Sequence, residues 1–145
     1  MLKVVIIDNS AISRGLLNTV LTNGGYEVVG DASTSPAALA KMIKLQPQII
    51  CADVGEADDA MSVLDTLRDQ LPRAILFVVS NKFEAATIEE AVKHGAHGFI
   101  VKPFNSATVL KTIRNSVIKL VKQQQAKSAE LGPDDAGTEP GDEGS

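Results

Sequence analysis

The chain has 145 residues, 44% of them hydrophobic and 22% charged, which suits one globular domain built on a single core. Aromatic residues make up only 3%, so the core should be aliphatic, and no stretch reaches the ~18 consecutive apolar residues of a membrane span. The formal charge of −4 is unevenly spread: one Lys against six acids from Ala126 onward leaves the rest near +1, with no basic footprint for nucleic acid.

Val4 to Ile7 is an uninterrupted apolar run, the pattern of a strand buried on both faces of a parallel sheet, and too short for a signal peptide. It closes on Asp8-Asn9. Ser10 is suited to cap a following helix, in which Ile12, Leu16, Leu17, Val20 and Leu21 recur at helical spacing before Asn23-Gly24-Gly25 stops it. Glu27 to Ala32 reads as a strand nearer the sheet edge. Thr34-Ser35-Pro36 is a cap with proline at the first helical position, and the helix from Ala37 to Leu45 ends before Pro47.

Gln48 to Ala52 is a second buried strand, followed at once by Asp53. It holds Cys51, the single cysteine of the chain, so no disulfide framework is possible; that fits a reducing cytosol, and Cys51 should be packed rather than reactive. A loop from Asp53 to Asp59 leads into a helix with Val63, Leu64, Leu67 and Leu71 inside. Ala74 to Val79 is a third buried strand, ending at Ser80-Asn81. A helix from Glu84 to His94 closes on Gly95, with His94 and His97 expected as surface groups. Gly98 to Val101 is a last short strand, followed by Lys102-Pro103-Phe104. The final helix, from about Asn105 to Gln124, carries Leu110, Ile113, Val117, Leu120 and Val121 on one side. The acidic Gly- and Pro-rich segment 125–145 lacks apolar surface to offset its ordering entropy and is expected to be disordered.

Five strands alternating with five helices predict an α/β fold: a flavodoxin-like, doubly wound, five-stranded parallel sheet of order 2-1-3-4-5 with helices on both faces. In that order the carboxyl ends of strands 1 and 3 are neighbours, so Asp8, Asn9 and Asp53 converge, with Ser80 and Lys102 along the same rim. Paired carboxylates repel unless a cation intervenes, and Mg²⁺ takes oxygen ligands while keeping waters that a phosphate oxygen can replace. Lys102 is a point charge suited to a phosphoryl group, and Asp53 is a carboxylate able to attack phosphorus.

The ordered set Val-Ile-Ile-Asp8-Asn9-Ser-Ala with Arg14, then Asp53, Val-Val-Ser80 and Gly95-Ala-His-Gly-Phe99-Ile-Val-Lys102-Pro103-Phe104 resembles the receiver domain of bacterial two-component response regulators, of the chemotaxis-regulator type. The resemblance spans residues 1–124. It implies a cytoplasmic, single-domain phosphoprotein switch rather than an enzyme. Asp53 would accept a phosphoryl group from a histidine kinase or phosphotransfer protein. Mg²⁺ would be held by Asp8, Asp53 and the Gly55 carbonyl, with Asn9 as a neutral ligand that weakens binding. Ser80 and Lys102 would contact the phosphoryl group, and Phe99 would be the aromatic switch. A downstream protein would dock on the face of the fourth helix, fifth strand and fifth helix, with no nucleic-acid or membrane partner.

Several residues depart from the family pattern. Asn9 stands where a second acid is usual, with Glu56 or Asp58 as possible compensation. The loop after Asp53 lacks its usual Met-Pro and Asp-Gly elements, and Asn81 could narrow access to Asp53. These departures motivate an alternative: a pseudo-receiver that binds partners without phosphorylation. A flavodoxin-like carrier is disfavoured, because Asp8-Asn9 is too acidic for an anion-binding loop.

Overall fold

The computed structural model describes residues 1–55 and 59–131. Among these, strands and helices alternate: β1 (Lys3–Ile7), α1 (Ala11–Asn23), β2 (Glu27–Ala32), α2 (Pro36–Lys44), β3 (Ile49–Ala52), α3 (Ala60–Gln70), β4 (Ile75–Ser80), α4 (Ala85–Lys93), β5 (Gly98–Val101) and α5 (Ser106–Leu131). All strand pairings are parallel and the order is β2-β1-β3-β4-β5, as the alternating pattern predicted. The chain divides into two units, Met1–Ile113 and Arg114–Ser145; the described part of the second is the remainder of α5.

The uninterrupted apolar runs are buried because the central strands have helices on either side. Val4 to Ile7, Ile49 to Ala52 and Leu76 to Val79 are all nearly inaccessible. Successive side chains on a strand point to opposite faces. Val5, Ile7, Ile50, Ala52, Leu76 and Val78 accordingly join one core with Leu39 and Met42 of α2, Leu64 and Leu67 of α3 and Ala91 of α4. The alternate residues Val4, Ile6, Ile49, Cys51, Phe77 and Val79 face the other way, where Leu17 and Leu21 of α1 and Val109 and Ile113 of α5 are buried. α1 and α5 approach closely on this side: a Cβ on Gly24 would fall against the side chain of Leu110. Phe77 is the largest fully buried side chain in an otherwise aliphatic core.

Local signals set most boundaries. Ser10 and Ser35 accept from the backbone N–H groups of Ser13 and Ala38 as N-caps, and Pro36 opens α2. Two expectations need correction. The apolar row of α1 is narrower than its spacing suggested, because Ile12 and Leu16 are 78% and 56% exposed while Leu17 and Leu21 are buried. At 100° per residue the Leu17/Leu21 row alone faces the sheet, and Ile12 and Leu16 lie round the helix on its solvent side. In addition, α5 continues past residue 124 to Leu131, so the helix reaches into the segment read as an acidic tail. The expectation for residues 132–145 lies outside the described residues, as does the one for Glu56 and Asp58.

Candidate functional site

Strand register brings the chemistry together. Ile7 of β1 pairs with Ala52 of β3, so the next residue on each strand, Asp8 and Asp53, emerge side by side. The Asp53 N–H donates to the Ile7 carbonyl at 2.7 Å, which keeps the two chains in step through the strand ends. On the other side Ser80 pairs with Val101, and the following Lys102 N–H donates to the Ser80 carbonyl at 2.9 Å. The carboxyl edge of β1, β3, β4 and β5 therefore presents Asp8, Asp53, Ser80 and Lys102 along one rim.

Lys102 Nζ is 2.8 Å from Asp8 Oδ2 and 2.6 Å from Asp53 Oδ2, a single ammonium shared between two carboxylates. Burial of the ammonium works against its charge, but the hydrogen bonds to Asp53 and Asp8 outweigh this and raise the Lys102 pKa. Asp8 is 5% exposed and its Oδ1 accepts from the Ser10 N–H at 2.8 Å. Asp53 is more open, with its side chain 18% exposed, and its Oδ1 accepts from the Gly55 N–H at 3.0 Å. Gly55 adopts φ +72, a conformation glycine takes at little cost, and this turn aims its N–H back at the carboxylate. Of the two acids, Asp53 is the one that solvent, or a reacting molecule, meets first.

The remaining expected site residues are placed as follows. Asn9 turns toward the loop between β2 and α2: its Oδ1 accepts from both the N–H and the hydroxyl of Thr34, at 3.0 and 3.2 Å. Ser80 is at the rim, but its hydroxyl donates to the Lys82 carbonyl at 2.9 Å and accepts from the Lys82 N–H at 3.1 Å. Phe99 is partly buried against the core and meets Phe83 edge-on, with ring centroids 5.2 Å apart and an interplanar angle of 76°. Asn81 is exposed. The Lys102-Pro103 peptide bond is cis. Cys51 is fully buried, and burial pushes its thiol up to about 12.

Sequence reasoning missed four sets of partners. Arg14 links the Asp8 main chain to Asp31, and Thr34 engages Asn9. His94 is not a free surface group either: its Nδ1 meets Asp65 of α3 and its Nε2 lies 3.2 Å from Glu90. His97 accepts at Nδ1 from the Leu76 N–H at 3.0 Å. The polar residues themselves were visible as signals, but apart from Glu90, on the helix His94 caps, their partners lie on other elements.

Comparison with known proteins identifies the family. The profile of the response regulator receiver domain matches residues 4–114. The chain belongs to the response regulator receiver family. The chemotaxis protein CheY of Thermotoga maritima is 34% identical over 120 residues, covering 81% of this chain and 98% of that protein. A protein-glutamate methylesterase/protein-glutamine glutaminase of Archaeoglobus fulgidus is 30% identical over 132 residues, 90% of this chain but only 37% of that larger protein. Among solved structures, the chemotaxis protein CheY4 of Vibrio cholerae superposes with a TM-score of 0.71 at 29% identity, covering 80% of this chain and 98% of that one. The fold is that of CheY: a flavodoxin-like five-stranded sheet in the order 2-1-3-4-5.

Proposed function

We propose that this receiver domain accepts a phosphoryl group on Asp53 from a histidine kinase or phosphotransfer protein and changes its partner binding in response. The observation that carries the reading is the shared ammonium: Lys102 holds Asp8 and the more accessible Asp53 at one point of the rim. In the transfer, an Asp53 carboxylate oxygen forms a bond to phosphorus as the bond from phosphorus to the donor nitrogen breaks. The freed histidine nitrogen then takes up a proton. Lys102, already 2.6 Å from Asp53, is within reach of the added phosphoryl oxygens. Asp53 carries the phosphoryl group until it is lost to water or passed back to a histidine nitrogen, so the domain acts as a phosphoacceptor switch rather than an enzyme acting on a separate substrate.

The donor set fits Mg²⁺. Two carboxylates close enough to share one ammonium suit a small hard cation that uses one or two carboxylates and keeps several waters. Asp8, Asp53 and the Gly55 carbonyl would hold it. Asn9 would join only by releasing Thr34, so the proposed site would bind Mg²⁺ more weakly than one with a second acid. When bound, the ion supplies charge stabilisation to the phosphoryl oxygens.

Ser80 and Phe99 are the proposed switch. The Ser80 hydroxyl would exchange its Lys82 main-chain partners for a phosphoryl oxygen. A cavity of about 140 Å³ beside Phe99, lined also by Val101, Pro103 and Val109, offers space for the ring to leave Phe83. A downstream protein would read the change on the α4–β5–α5 face, where Val92 and Val101 are 53% and 56% exposed. No described helix is long and apolar enough to cross a membrane, and a cytoplasmic setting is part of this proposal.

Incubating the protein with a small-molecule phosphodonor and Mg²⁺ and reading its intact mass tests the proposal. A gain of one phosphoryl group in wild type and none in Asp53→Asn is expected. An unmodified wild type would favour the second reading, a pseudo-receiver that binds partners unphosphorylated. The diversion of Asn9 to Thr34 is the observation in that reading's favour.

A further inference from the structure

Asp8 lies just beyond β1, where the sheet ladder stops ordering the backbone. Its N–H still donates to Ala32 at 2.9 Å, but its carbonyl needs a donor from elsewhere. Arg14, one turn into α1, supplies it: Nη1 donates to the Asp8 carbonyl at 2.5 Å. The same guanidinium donates from Nε to Asp31 Oδ1 of β2 at 3.1 Å. One planar group thus spans α1, the end of β1 and β2, and its direction is set by the carboxylate on β2.

We propose that Arg14 is a positioning residue, with Asp31 as its orienter: it holds the Asp8 backbone so that the Asp8 carboxylate meets a divalent cation in a fixed direction. This rests on the reading above that the rim takes Mg²⁺. Arg14 never touches the cation, and its charge opposes binding. Pure electrostatics therefore predicts that removing it tightens Mg²⁺ binding, whereas loss of positioning predicts the reverse. The two effects have opposite signs, so one variant separates them. Asp31 contacts Arg14 rather than the carboxylate of Asp8 and acts only through the guanidinium.

The test is an NMR titration of the full chain with Mg²⁺, following amide shifts near Asp8 and Asp53 in wild type, Arg14→Ala, Arg14→Lys and Asp31→Asn. Arg14→Ala should weaken Mg²⁺ about tenfold. Arg14→Lys keeps the charge but lacks the fork, so it should also bind more weakly than wild type. Asp31→Asn should shift in the same direction by less. Folding of each variant is checked by its amide spectrum, and Arg14→Lys carries the test if Arg14→Ala does not fold. A second readout needs no metal. The Ser10 amide, held by Asp8 Oδ1, should exchange faster with solvent in the arginine variants than in wild type. Folded Arg14→Ala that binds Mg²⁺ as tightly as wild type or more tightly would overturn the proposal. Unchanged Ser10 exchange would overturn it even in a wild type that takes no Mg²⁺, an outcome that separately ends the cation reading.

Discussion

Lys102 Nζ sits 2.6 Å from Asp53 Oδ2, a contact between the residue just past β5 and the residue just past β3, and the same ammonium reaches Asp8. Without that ammonium, or another cation, the two neighbouring carboxylates repel each other. Replacing Lys102 by Met should therefore cost about 1–3 kcal/mol of folding stability, because two poorly solvated carboxylates are left facing each other. Urea denaturation measures the loss. Mg²⁺ should restore more stability to Lys102→Met than it adds to wild type, since the ion then supplies the only bridging charge. A variant as stable as wild type without metal would show that the ammonium is not needed to hold the pair.

The imidazole of His94 has a carboxylate at each nitrogen, Asp65 from α3 and Glu90 from α4. A neutral ring donates from one nitrogen only, so both bonds require imidazolium. The hydrogen bond to Asp65 raises the His94 pKa, burial works against it, and Glu90 adds to the rise. Arg68, Asp69 and Lys93 are the other charged groups around the same shallow surface pocket. Because the folded pKa is above the unfolded one, the tie between α3 and α4 is complete below about 6.5 and is lost as pH rises through the raised value. An NMR titration of the His94 ring should show the raised midpoint, and Asp65→Asn should return it toward the ordinary range.

His97 behaves in the opposite sense. Burial lowers its pKa, with the Arg68 charge adding to the effect, and the ring stays neutral to accept from Leu76. Its contribution is present above about 6.5 and is lost as pH falls through the lowered value. In His97→Gln, the acid-side decline of thermal stability should be shallower than in wild type. An unchanged acid slope would remove His97 from the account.

Gly95 adopts φ +100 and packs directly on Arg68, whose guanidinium donates to the carbonyls of Ala74 and Pro72 at 2.8 Å each. Gly95→Ala should destabilise by about 1–3 kcal/mol, combining left-handed strain with displacement of that side chain. Thermal unfolding measures it. Arg68→Ala in the Gly95→Ala background should cost less than Arg68→Ala in wild type, because the same contacts are already disturbed.

Cys51 offers a clean report on global opening. Its thiol is inaccessible and pushed up to about 12, so a thiol reagent should label the native protein only as fast as the sheet opens. Labelling rates should rise with urea in step with unfolding. Rapid labelling of the native protein would place Cys51 in a locally mobile strand.

The sequence alone determined the strands, their order and which rim residues could meet. Runs such as Val4 to Ile7 and Ile49 to Ala52 have no polar break, and only a sheet covered on both faces buries them completely. An acid or lysine immediately after each run must then emerge at the carboxyl edge, whatever the details of packing. What each polar group touches was decided by the tertiary structure. Asn9 faces Thr34, Arg14 reaches Asp31 and His94 meets Asp65 through partners brought near by folding, while Ser80 turns to Lys82 along the local path of the loop after β4. Hydrophobic periodicity is a property of neighbouring residues and survives in one dimension. Hydrogen-bond direction depends on side-chain rotamers and on distant loops, so it exists only once the chain has folded.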